Sequence, residues 1–488
     1  MRLCYWIVLL CLFACQSSPS ESSSSSQLAG RGYAEAALRL EIRPHLEPFE
    51  RAQVIRILDS LQAHGVKAWW YSVARPPSLL LYPSRYLAAD SLAQPVAYYQ
   101  WIAEQAHARD ISLFSHYCLH AAPQTLQQHP DWGCVYLDQE NGQDIVSQRS
   151  PCLLSPYGER LQQAAVEMVG ELGFDGIWFD CTQLYEWDRW LCACHRCQAA
   201  FQQATGLDMP RQVDLTDPAF KRLIRWRYQF QMDYWQALIE AVKQAKPEAL
   251  LTFNVKNRLN DPGAKAAVPL WRFPGDALLA TEVYWRPQQA LLEMKYLRAM
   301  MSNRYAPESW LGFSDATHVF RPKGPSPEPA GLVQFGLSCQ SCGGHASYGA
   351  SEEQLPGTLS TLNRELSEAA PYVGGKPLRH LGLVLSQATM DFGHLPKQGP
   401  QPDAYGSTFR TWQAVHGMHY LLNSLHRPSE VLLDDQLTPD QLKGYDAVVR
   451  KKYYPHPVNE EGDMVRNPHL TTHCFSRITA SDTHRLAW

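Results

Sequence analysis

From residue 37 onward the hydrophobic pattern alternates between two periods. Short apolar runs such as ALRLEI, VKAWWYSV, ISLFSHYCL, FDGIWFD, LLTFNV, DALLATEVYW, WLGFS and HASYG predict strands. Between them lie stretches in which apolar residues recur every three to four positions, which predict helices. In the first, around residues 51–64, Val54, Leu58 and Leu61 share one face and Gly65 is placed to end the element. PVAYYQWIAEQAHARD, SPYGERLQQAAVEMVGELG, LIRWRYQFQMDYWQALIEAVKQA, PQQALLEMKYLRAM, AGLVQFGLSCQSC and LSTLNRELSEAA continue the alternation. Strand and helix in turn imply a parallel sheet. Eight such units over residues 34–376 predict a (β/α)8 TIM barrel with long loops. An open doubly wound sheet fits less well, because no Gly-rich phosphate loop follows the first strand.

After PYVGGKP the pattern restarts. RHLGLVLS, STFRTWQAVHGMHYLLNSLHRP, SEVLLDD and YDAVV predict a partial flavodoxin-like α/β domain over residues 377–450. Residues 451–488 show neither period and predict an unstructured or aberrant tail, as a chain truncated or frame-shifted near Arg450 would have. At the other end, Arg2 precedes a short apolar stretch that is too short to span a bilayer and that ends in LFAC. This resembles the bacterial lipoprotein box. It predicts a signal peptide over residues 1–14, lipidation at Cys15, and a Ser-rich tether over residues 15–33. The expected location is the bacterial cell envelope, lipid-anchored in the periplasm or outer membrane, with a plain secreted protein as the alternative.

Charge then narrows the partners. The 44 basic and 48 acidic residues give a net charge of -4, which offers no electrostatic case for nucleic acid or an anionic surface. The 15 Trp residues and 11% aromatics supply flat apolar faces suited to sugar stacking, and equally to cores. Since barrel sites gather at the C-terminal ends of the strands, polar residues there are the candidates. Asp180 ends the fourth strand after an apolar run, and Glu282 lies in the sixth. Glycoside hydrolysis needs two carboxylates flanking the scissile bond, and this pair could supply them. Arg43, His45, His116, Asn254, Lys256 and Asp315 fall near other strand ends, and Trp178, Trp187, Trp190 and Trp285 could line a sugar platform. Each also has an ordinary structural role open to it, and Trp178 fits barrel packing equally well. Asp175 suits the turn entering the fourth strand.

Three cysteines crowd CACHRC at Cys192, Cys194 and Cys197. They cannot all pair locally in good disulfide geometry. With one remote thiolate they would form a closed, tetrahedral and therefore structural zinc site. His195 is an alternative ligand, and free or disulfide-bonded thiols are the alternative state. Cys339 and Cys342 are expected to be small apolar residues or a local disulfide.

CACHRCQAAFQQATG resembles the CxCxxC segment beside strand four in glycoside hydrolase family 42 β-galactosidases and related hypothetical glycosyl hydrolases. There the fourth thiolate lies in a segment similar to SPCLLSPYGERL, which implies Cys152 as the remaining zinc ligand. VLSQATMDFG and YLLNSLHRPSEVLLDDQLTPDQLKGYDAVV resemble the β-galactosidase trimerisation domain, which implies a homo-oligomer that an incomplete domain would weaken. The resemblance covers residues 34–450 and implies a carbohydrate substrate, structural zinc and no organic cofactor. The chain departs from family 42 at the end of strand four. Phe179 and Asp180 stand where the family carries an Asn-Glu pair. A WFD setting is instead similar to α-L-fucosidases and α-galactosidase-type retaining enzymes, which implies Asp180 as nucleophile and Glu282 as acid/base. The family 42 comparison would reverse those roles. The expected function is an exported, lipid-anchored glycoside hydrolase; a non-catalytic carbohydrate-binding barrel is the alternative, and a metallohydrolase is disfavoured by a closed thiolate site.

Overall fold

A computed structural model of the chain describes residues 39–41, 48–75, 79–118, 121–137, 143–180, 192–212, 214, 217–254, 277–282, 287–300, 308–312, 329–342, 345–349, 355–373, 378–385, 406–433, 437–438, 442–451 and 475–478. Eight strands form a closed barrel: β1 (Arg39–Glu41), β2 (Ala68–Ser72), β3 (Ser112–Cys118), β4 (Gly176–Asp180), β5 (Leu250–Asn254), β6 (Leu278–Glu282), β7 (Glu308–Gly312) and β8 (His345–Gly349). Every neighbouring pair runs parallel.

The register fixes the kind of barrel. Following Ala68↔Ser112, Phe114↔Gly176, Gly176↔Leu250, Thr252↔Leu278, Ala280↔Glu308, Glu308↔His345, Ser347↔Arg39 and Arg39↔Ala68 once round the ring takes Ala68 to position 60, a shift of eight residues. That is the shear of a TIM barrel. The strands therefore tilt, and positions at one height advance by about one residue per strand, so inward layers come from alternate strands. Above the position layer Trp70, Trp178, Ala280 and Ser347 lies Glu41, His116, Asn254 and Trp310. Above that lies Ser72, Asp180, Glu282 and Gly349.

The strand sequences explain the two faces. In AWWYS of β2 every residue is buried. Trp70 meets Trp178 inside the barrel, ring centroids 5.5 Å apart, while Tyr71 packs outward on Tyr99 of the helix Val96–His107. Phe179 of β4 likewise meets Trp235 on the long helix Pro218–Ala245. That helix starts where Asp217 accepts a hydrogen bond from the Ala219 N–H and Pro218 sets the first turn. A Cβ on Gly176 would stand 2.1 Å from the Leu250 carbonyl oxygen, so β4 reaches β5 closely only with glycine there.

The loop after β3 is not featureless. It carries an antiparallel hairpin, Gly133–Leu137 with Asp144–Pro151. The cysteine segment continues into a helix, α1 (His195–Thr205), closed by Gly206 in the left-handed region. Neither element was expected. Cys339 and Cys342 are buried and form no disulfide.

A second sheet has the order Ser429–Leu433, Leu381–Leu385, Ala447–Lys451, Phe475–Ile478. Its first three strands are parallel and the last is antiparallel. The period-less tail thus supplies an edge strand; the rest of residues 452–488 lies outside the described residues, as do residues 1–38 with Cys15. The sheet is bolted to the helix Pro287–Met300 that follows β6. Lys295 Nζ donates to the Ser429 carbonyl and Arg298 Nη2 pairs with Glu430 Oε2. No helix among the described residues is long and apolar enough to cross a membrane.

Candidate active site and thiol cluster

Asp180 is the last residue of β4, at the mouth of the barrel. Its side chain keeps 17% exposure in a setting that is otherwise closed. The Asn254 amide, fully buried at the end of β5, donates from Nδ2 to Asp180 Oδ1 at 2.9 Å. His116 Nε2 lies 3.5 Å from Oδ2. The imidazole is itself held flat on Trp178, centroids 5.0 Å apart and planes at 25°. Three inward positions on β3, β4 and β5, all named from the sequence, therefore converge on one carboxylate. His116 and Asn254, expected to bind sugar hydroxyls, are placed here as partners of Asp180.

Glu282 ends β6, two strands from Asp180. Phe179 is in register with Phe253 and Asn254 with Ala280, so the position level with Asp180 on β6 is two residues beyond Ala280. That position is Glu282. Arg43, His45, Lys256, Trp187, Trp190, Trp285 and Asp315 lie outside the described residues. Trp178 packs in the barrel interior.

At the bottom of the same strand, Asp175 has a different setting. It accepts the Leu113 backbone N–H at 2.8 Å and His107 Nε2 at 2.8 Å, with Lys246 Nζ at 3.4 Å. Burial would raise its pKa, but the His107 bond and charge, the Leu113 N–H and Lys246 outweigh it and hold the carboxyl below its usual value. This is structural fastening of β4 to its neighbours.

The cysteines assemble beside the mouth. Cys152, Cys192, Cys194 and Cys197 are all buried, with every Sγ within 4.8 Å of the others. Cys152 Sγ lies 3.5 Å from Cys197 Sγ and 3.7 Å from Cys194 Sγ. A zinc–sulfur bond of about 2.3 Å requires tetrahedral edges of about 3.8 Å, so the four thiols fit a tetrathiolate ion. Local structure explains the convergence. Cys152 follows the hairpin, and its N–H donates to the Trp132 carbonyl. Tyr136 bridges Cys192 in antiparallel fashion, and the Ala193 N–H donates to the Val135 carbonyl. Alternation along that pairing puts Cys192 and Cys194 on one face and Cys197 one helical turn further on.

A fifth buried thiol, Cys134, joins them and was not anticipated. The antiparallel pairing of Tyr136 with Cys192 brings the strand that carries Cys134 against the cysteine segment. Cys134 is also the foremost hydrogen-bond donor pushing Cys152 and Cys192 toward the thiolate. Bonds to those two, Cys152 first, push Cys134 itself up. Only the strand pairing, invisible in sequence spacing, brings it there.

No family model and no curated protein matches the chain. Solved structures do. The α-L-fucosidase isoenzyme 2 from Paenibacillus thiaminolyticus superposes with a TM-score of 0.56 at 15% identity, covering 84% of this chain and 59% of that one. The polyextremophilic β-galactosidase from the Antarctic haloarchaeon Halorubrum lacusprofundi gives 0.61 at 14% identity, over 85% and 69%. Gan42B, a GH42 β-galactosidase from G. stearothermophilus, gives 0.56 at 11% identity, over 83% and 66%. The likeness is one of fold, shared with an α-L-fucosidase and with β-galactosidases alike, and the chain spans 59% of the fucosidase's length.

Proposed function

We propose that the protein hydrolyses glycosidic bonds by a retaining mechanism, with Asp180 as nucleophile and Glu282 as acid/base. The observation that carries this is the placement of Asp180 and the Glu282 position in one layer at the barrel mouth, two strands apart. With strands about 4.8 Å apart and tilted, their backbones stand about 10 Å from each other. A retaining mechanism requires carboxyls about 5–5.5 Å apart, and inward positions two strands apart in one layer are near enough to supply them. Asn254 occupies Oδ1 as a donor and so fixes the carboxylate's rotation, with the partly exposed side of Asp180 turned to the mouth.

In the first step an Asp180 oxygen forms a bond to the anomeric carbon as the glycosidic bond breaks, and Glu282 gives its proton to the departing oxygen. In the second, Glu282 takes a proton from water, whose oxygen attacks the same carbon and releases Asp180. The thiol cluster, through Cys152, Cys192, Cys194 and Cys197, would hold a structural zinc ion that stiffens the segment leaving β4 and takes no part in the reaction. The substrate is a neutral glycoside. The second sheet is a partial flavodoxin-like unit of the kind that accompanies family 42 barrels, and the N-terminal segment directs export and lipid attachment at Cys15.

The test uses aryl glycosides. Asp180→Asn is expected to lower kcat by at least about 10³-fold with the melting temperature little changed. Azide added to Asp180→Gly should yield the glycosyl azide of inverted anomeric configuration, and added to Glu282→Ala the retained one. Reversed products would exchange the two roles, and full activity in Asp180→Asn would overturn the site. Saturable sugar binding without turnover in the unmodified protein would indicate a binding barrel.

A further inference from the structure

The four-thiol cluster needs four cysteines, and the structure supplies five. Cys134 is 1% exposed and sits on the hairpin strand that pairs with the cysteine segment itself. Its hydrogen-bond partners are the sulfurs of Cys152 and Cys192. A methyl or hydroxymethyl group would fill the same space if packing alone were served. A thiol within reach of thiolate ligands has a chemistry that neither group has.

We propose that Cys134 is a resolving thiol: when a peroxide oxidises a ligand of the cluster, Cys134 closes a disulfide onto Cys152 or Cys192 and the metal is released. This rests on the cluster's assignment as a zinc site. The chemistry balances in two steps. A ligand thiolate attacks hydrogen peroxide, the O–O bond breaks, and sulfenate and water form. The Cys134 sulfur then displaces the protonated sulfenate oxygen as a second water, forming the S–S bond. Two thiols lose two electrons in total to one peroxide. The ion left with three ligands loses the closed geometry that held it.

Peroxide suits the site because it is small, while the five sulfurs are 1–4% exposed, which disfavours bulky disulfide oxidants. Backbone pairing also holds Cys134 between the segments that carry both partners, since Gly133 is in register with Pro151, the residue before Cys152, and Tyr136 with Cys192. The segment that would loosen, residues 192–205, leads away from the strand that ends in Asp180.

The experiment treats the full chain with hydrogen peroxide, follows released zinc with a chromogenic chelator, and maps disulfides by peptide mass spectrometry after alkylation. The expected product contains one Cys134–Cys152 or Cys134–Cys192 bond, with zinc released in step with its formation. Cys134→Ala and Cys134→Ser should release zinc at least about tenfold more slowly. Cys134 recovered as an alkylated free thiol from oxidised, zinc-free protein would overturn the proposal, as would unchanged release from both variants. Zinc content before oxidation separates the two claims: protein purified from zinc-supplemented medium without the metal refutes the zinc site, and the disulfide map then decides the pairing alone.

Discussion

Two aspartates bracket β4. Asp175 at its base accepts a backbone N–H and meets His107 and Lys246, so its charge is compensated from three sides. Asp180 at its tip is held by a neutral amide and approached by an imidazole, and it retains access to the mouth. The residue type is the same and the strand is the same. What differs is the kind of partner: the carboxylate that fastens the fold is matched with charge, whereas the proposed nucleophile is oriented by a neutral donor and keeps access to the mouth.

The sharpest way to break this contrast is to exchange the losses. Asp180→Asn should remove activity and leave stability within about 1 kcal/mol, since the amide keeps an acceptor for Asn254. Asp175→Ala should do the opposite. It leaves the Leu113 N–H without its partner and costs about 2 kcal/mol in denaturant unfolding, while kcat per folded molecule stays near the unsubstituted value. A large kcat loss in Asp175→Ala would show that the base of β4 sets the geometry of its tip.

Chelating the proposed zinc ion addresses the segment that follows Asp180 in sequence. About 2 kcal/mol, or roughly 5 °C in melting temperature, should be lost, with faster amide hydrogen exchange over residues 133–137 and 192–205. Asp175, at the opposite end of β4, should keep its protection. An unchanged melting temperature would count against a structural ion.

The smallest effect is a pH slope. Because the Asp175 carboxyl is held below the ordinary 3.8, its stabilisation is complete above that value and is lost as pH falls through its lower folded pKa. Unfolding midpoints measured between pH 5 and pH 2 should therefore fall more steeply for the unsubstituted protein than for Asp175→Asn. Parallel curves would mean that His107 and Lys246 contribute little.

Much of this architecture was legible in the chain. Fully apolar runs such as AWWYS and GIWFD read as barrel strands because both faces of a parallel sheet are covered, and Asp180 stood out as the acid that ends one. Cys192, Cys194 and Cys197 announced themselves by spacing. The hairpin did not, because Asp144–Pro151 buries Ser147, Ser150 and Pro151 while leaving Val146 exposed, and so has no apolar alternation to detect. Cys134 was hidden for a related reason, since its neighbours are set by strand pairing and lie far away in sequence. The strand Phe475–Ile478 follows a stretch without period and draws its order from the edge of Ala447–Lys451. Asp175 was expected at a turn, but its three partners come from β3 and from two helices and could not be named in advance.

The seam between barrel and second sheet sets a practical limit on dissection. Lys295 and Arg298 lie on the helix that follows β6, and their buried charges meet Ser429 and Glu430 of the second sheet. A fragment ended at residue 376 would strand two cations on a freshly uncovered apolar wall, immediately behind the strand that presents Glu282. Such a fragment should be sticky and poorly soluble, so a soluble minimal enzyme has to keep residues through at least the strand Ser429–Leu433.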